Sequence, residues 1–95
     1  MSIPKQTLPP APKRYVKAEF EPNFDALRNA LGRRRAELGL TYEALAERSG
    51  LSRTGVINLE VGNRIGTLAT WFAIAQAIDV PFGQLMEHLN EPNSS

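Results

Sequence analysis

The residues best suited to recognition chemistry lie in one decapeptide, Ser52-Arg53-Thr54-Gly55-Val56-Ile57-Asn58-Leu59-Glu60-Val61. Ser52 is a good helix N-cap, because its hydroxyl can accept a backbone N–H that the first turn leaves unpaired. Val56 and Leu59 are three apart, so both can face a core. Arg53, Thr54 and Asn58 then share the opposite face. These side chains hydrogen-bond well to phosphates and base edges. An apolar back and a donor-rich front suit a short helix to a DNA major groove.

The elements that must position this helix can be read on either side of it. Asn23 caps a first helix whose stripe is Phe24, Leu27, Leu31 and Leu38, and Gly39 ends it. Thr41 caps a second helix, Tyr42 to about Arg48, with Leu45 and Ala46 inward. Ser49-Gly50-Leu51 makes the turn, and the third helix runs from Arg53 to about Glu60. A loop, Gly62-Asn63-Arg64-Ile65-Gly66, leads to a fourth helix capped by Thr67, with the stripe Leu68, Trp71, Phe72, Ala75 and Ile78. Pro81 breaks it, and a short fifth helix covers roughly Phe82 to Leu89. The fold class expected is all-α: a compact five-helix domain over residues 23–90. It is preceded by a Pro-rich basic arm at 1–22 and followed by a polar tail at 91–95.

Ninety-five residues suffice for one small domain. The chain has no cysteine, which excludes disulfides and thiolate zinc sites, and one histidine, His88. No apolar run is long enough to span a membrane, so a cytoplasmic protein is expected. No cofactor or metal is implied. There is no nucleophile–base pair, no phosphate-cradling glycine loop and no metal cluster, so an enzyme is not expected. Net charge is only +1, but residues 1–35 carry +5 and residues 36–95 carry −4, and no Lys or Arg follows Arg64. A DNA surface would therefore draw on Arg33 to Arg64 and the arm.

Thr41-Tyr42-Glu43-Ala44-Leu45-Ala46, Ser49-Gly50-Leu51-Ser52 and Leu59-Glu60-Val61-Gly62-Asn63-Arg64, in this order and spacing, resemble the lambda-repressor-like helix-turn-helix family of Xre/Cro type. The match extends from about Leu31 to Leu85. The resemblance implies five helices, a homodimer, and transcriptional regulation by binding a double-stranded operator that is palindromic. Arg53, Thr54 and Asn58 would reach base edges, with Thr41, Tyr42, Ser52 and Arg64 nearer the phosphates. Tyr42 could instead lay its ring over Leu45 or the Leu40 loop. The family often has Pro where this chain has Gly66.

Arg35 lies on the core-facing stripe of the first helix, where an unpaired charge is very costly. The resemblance implies that it pairs with Glu60 and holds the third helix to the first; otherwise it would snorkel to solvent. Gly55 suggests close approach of the second helix at Ala46. Trp71 and Phe72 are expected in the core, and Phe82, Leu85, Met86 and Leu89 at a dimer interface. Tyr15, Val16 and Phe20, among the prolines of the arm, could anchor it on the domain or on a second subunit. The arm also keeps open a second reading, an antitoxin-like module whose chief partner is another protein and whose DNA binding is secondary.

Overall fold

A computed structural model describes residues 21–93, and the arm lies almost wholly outside them. The order of elements is α1 (Phe24–Glu37), α2 (Tyr42–Ser49), α3 (Arg53–Val61), α4 (Leu68–Ala77) and α5 (Phe82–Met86), with a closing 3-10 turn, Glu87–Asn90. Among the described residues there is no strand. The fifth helix is thus shorter than the sequence suggests.

Four of the helices begin the same way. The side chains of Asn23, Thr41, Ser52 and Thr67 accept from the backbone N–H groups of Ala26, Ala44, Gly55 and Thr70. Each cap satisfies a donor that the first turn would otherwise leave without a partner. α2 and α3 end at Gly50 and Gly62, with φ of 79° and 91°, the left-handed conformation that glycine reaches without a Cβ penalty.

One core joins all five helices. Leu27 and Leu31 of α1, Leu45 of α2, Val56 and Leu59 of α3, Trp71 and Ile74 of α4 and Leu85 of α5 are buried together. α4 is phased differently from the stripe read in the sequence. Trp71, Ile74, Ala75, Ala77 and Ile78 face inward, while Leu68 is 74% and Phe72 50% exposed. The helix is apolar on nearly every side, so its own pattern does not fix which face is buried. Leu85, expected at an interface, belongs to this core and is 2% exposed.

The end of the domain is pinned to its beginning. Asn23, which is buried, receives the α1 cap bond and also donates from Nδ2 to the carbonyls of Pro92 (2.9 Å) and Glu91 (3.3 Å). Its backbone N–H donates to the Leu89 carbonyl, and Asn93 Nδ2 donates to the Glu21 carbonyl. The segment read as a polar tail is, through Asn93, part of the folded unit.

Candidate nucleic-acid interface

α3 is held in place by a polar assembly at its C-terminal half. Arg35 Nε and Nη2 donate to Glu60 Oε1 and Oε2 at 2.7 and 2.8 Å, a two-pronged fit. Arg35 Nη1 caps the Leu40 carbonyl at 2.9 Å. Tyr42 Oη donates to Glu60 Oε2 at 3.2 Å, and its ring lies 4.3 Å from the Arg35 guanidinium carbon. α1, α2 and α3 thus meet at three side chains. Arg35 and Glu60 keep only 20% and 15% of their side-chain surface exposed. The hydrogen bonds from Arg35 hold the Glu60 carboxyl below the usual carboxylate range, against the opposing effect of burial. Glu60, in turn, raises Arg35. α1 admits the carboxylate because Gly32 has no side chain: a Cβ there would lie 3.3 Å from Glu60 Oε2.

Two of the three residues in the run Arg33-Arg34-Arg35 have structural tasks. Arg35 belongs to the assembly above. Arg34 Nε donates to the Ile78 carbonyl at 2.9 Å, and Arg48 Nη1, from α2, donates to the Ala77 carbonyl at 2.8 Å. Two cations thereby satisfy carbonyls at the C-terminal end of α4, where the helix dipole also favours them. Arg33 stays exposed. Arg28 pairs with Asp25.

The outer surface of α3 is of a different kind. Ser52, Arg53 and Thr54 are exposed, Asn58 is half-buried, and all four lie on or beside one helix. Arg53 Nε donates to Glu43 Oε2, from the first turn of α2, at 2.8 Å. This contact was not foreseen in the sequence. The Glu43 carboxyl is held below its ordinary range first by its own backbone N–H and then by Arg53. The Ser52 hydroxyl is 3.0 Å from where a Cβ on Gly55 would stand, so the glycine makes room for the cap of its own helix, not for Ala46.

Asn58 also organises the loop that follows. Its carbonyl accepts from the N–H groups of Gly62, Asn63 and Arg64, and its Oδ1 from Asn63 Nδ2 at 3.2 Å. Further along, Trp71 Nε1 donates to the Ile65 carbonyl at 2.7 Å. Gly66 sits at φ 86°, and a Cβ on it would come within 2.7 Å of Leu59 Cδ2 and 2.9 Å of Trp71 Nε1. Proline, which fixes φ near −65°, could not take this backbone. The loop bearing Arg64 is thus tied at both ends. Leu51, Ser52, Asn63, Arg64 and Thr67 are among the residues lining an open cleft between it and α3. Trp71, expected only as core, thus also ties the loop, and its indole N–H, a donor that needs a partner when buried, is the signal for that second role.

The pattern of helices, turn and caps matches what the helix-turn-helix family profile detects over residues 31–85. The chain belongs to that family, whose Xre-type, lambda-repressor-like members its motifs resemble. Among solved structures it is similar to the restriction–modification controller protein C.AhdI from Aeromonas hydrophila. The two are 32% identical over 65% of this chain and 94% of that one, with a TM-score of 0.62. The wild-type restriction–modification controller C.Esp1396I is 26% identical over 68% of this chain and 90% of its own, with a TM-score of 0.61. A point mutant of C.Esp1396I bound to its highest-affinity operator site shares the fold, at 23% identity over 79% of this chain, all of that chain, and a TM-score of 0.61. No curated protein matches the chain.

Proposed function

We propose that this chain is a sequence-specific, double-stranded DNA-binding regulator of transcription that acts as a homodimer. The observation that carries this reading is the outer surface of α3. It presents Arg53, Thr54 and Asn58 on a helix whose other face is locked into the core by Val56, Leu59 and Glu60. In this reading Arg53, Thr54 and Asn58 contact base edges from the major groove. Thr41, Ser52 and Arg64 approach phosphates, the first two from helix N-termini that favour anions. Tyr42 turns its hydroxyl to Glu60, so its own phosphate contact requires it to swing from that carboxylate or to accept from a water that donates to the phosphate. The likeness to controller proteins supports a regulatory role for the contact.

The charge pattern favours specific over general binding. Among the described residues, Arg28, Arg34, Arg35, Arg48 and Arg53 all have protein partners. Within the described residues that leaves Arg33 and Arg64 as the arginines free to neutralise phosphates without regard to sequence. We read the chain as a binding protein without enzymatic activity, and as cytoplasmic; no helix among the described residues is long and apolar enough to cross a membrane. Residues 23–93 form the DNA-binding domain in this reading, with 1–22 as its arm.

One such helix reads only a few base pairs, and two helices on a palindrome give usable specificity. We place the dimer contact on the exposed side of α4 and α5. Phe72, half exposed, packs against Phe82 with ring centroids 5.6 Å apart and tilted by 60°, and Met86 and Leu89 are partly buried against the core. Half-site centres would then lie about 34–36 Å apart, one turn of DNA. A titration of the full chain against selected and random duplexes, over a range of salt, tests the reading. Tighter binding to the selected duplex supports it, and equal binding at every salt overturns it. The antitoxin-like alternative rests on the arm, whose residues 1–20 lie outside the described ones.

A further inference from the structure

Two acidic residues touch the arginines around α3, and only one of them has a structural task. Glu60 builds the domain. Glu43 is 69% exposed, its partner Arg53 is 57% exposed, and neither bonds to another side chain among the described residues. A pair so open to water is too weak to hold α2 against α3. What it does in the structure is bring Arg53 Nε to the first turn of α2.

Arg53 meets the carboxylate through Nε, the nitrogen nearest the chain, so Nη1 and Nη2 have no partner among the described residues. Guanine presents two acceptors, O6 and N7, on its major-groove edge, and a two-nitrogen arginine fork matches them. A free arginine side chain carries much rotamer entropy, and ordering it on contact opposes binding. An arginine already tethered at Nε loses less of that freedom. Such an arginine is also less able to bend back toward the phosphates.

We propose that Glu43 is a positioning residue for Arg53, holding its Nε so that Nη1 and Nη2 read a guanine. This rests on the reading of α3 as the recognition helix. The negative charge has a second consequence. Glu43 sits in the first turn of α2, beside Thr41 and Tyr42, where a phosphate would approach the helix N-terminus. Its carboxylate repels that phosphate and cancels part of the attraction of Arg53 for any backbone. Glu43 therefore lowers affinity for random DNA while sharpening discrimination at one base pair.

The test uses the full chain and the duplex it selects, with each guanine replaced in turn by adenine. The guanine whose replacement ceases to matter in Arg53→Ala is the one that Arg53 reads. At that position the wild type should discriminate by about tenfold or more. Glu43→Ala should lose most of that ratio, and Glu43→Gln, which keeps an acceptor oxygen without the charge, should retain it. Both variants should bind random duplex more tightly than wild type and melt with it. Wild-type discrimination in Glu43→Ala overturns the proposal, as does a loss in Glu43→Gln equal to that in Glu43→Ala. An Arg53→Ala variant that still distinguishes every guanine overturns it and leaves DNA binding standing. A wild type that cannot tell selected from random duplex overturns the recognition reading along with it.

Discussion

Two of the Arg–Glu contacts among the described residues are nearly equal in length, Arg35–Glu60 at 2.7 Å and Arg53–Glu43 at 2.8 Å. In the first, both side chains are at least four-fifths buried, the guanidinium grips both carboxylate oxygens, and a tyrosine closes the third side. In the second, both side chains are mostly in water and a single nitrogen is engaged. Bond length is therefore a poor guide to what an ion pair does. Burial decides the energy, because an uncompensated charge is expensive only where water cannot reach it. The buried pair fixes where α3 sits, and the exposed pair, in our proposal, orients a side chain of α3.

The largest effect expected from breaking this contrast is at Glu60. Glu60→Ala strands Arg35 in a partly buried site and should cost on the order of 3–5 kcal/mol. A thermal melt within a degree of wild type would show that the pair contributes nothing to the fold. Next comes Gly66→Ala, which adds a Cβ at positive φ against Leu59 and Trp71. It should destabilise by more than about 1 kcal/mol and weaken DNA binding through Arg64, measured by melt and titration together. Asn23→Ala removes a helix cap and the bonds to Glu91 and Pro92. It should cost about 1–2 kcal/mol, read by denaturant unfolding.

Acid sharpens the comparison in a different way. The folded-state pKa of Glu60 lies below its ordinary value, so its contribution is complete above the ordinary glutamate range. It is lost as pH falls from there through the folded value. Thermal melts between pH 7 and about 3 should show wild type losing stability in that window and Glu60→Gln following a flatter curve. Glu43→Ala should have the smallest effect on the melt, a shift of a degree or less, because its pair is open to water.

What could be read in advance follows the range of the interactions. Caps at Asn23, Thr41, Ser52 and Thr67 are local, set by a side chain and a backbone three residues on, and were plain in the sequence. So was the need for a partner at Arg35, since its place on an apolar stripe demands one. The phase of α4 was not, because an apolar helix is oriented by its neighbours and not by its own periodicity. The bonds from Asn23 to Pro92 span 69 residues and follow no motif. The Glu43–Arg53 contact crosses the turn between α2 and α3 among exposed polar residues, where no pattern marks who meets whom.

In the proposed function the outer surface of α3 reads DNA while its inner surface is part of the scaffold. Affinity of Arg53→Ala and wild type for the same selected duplex tests it most directly, with a melt of each as control. Arg53→Ala should lose about tenfold to a hundredfold in affinity with no change in melting. Equal affinity of the two proteins for that duplex would contradict it.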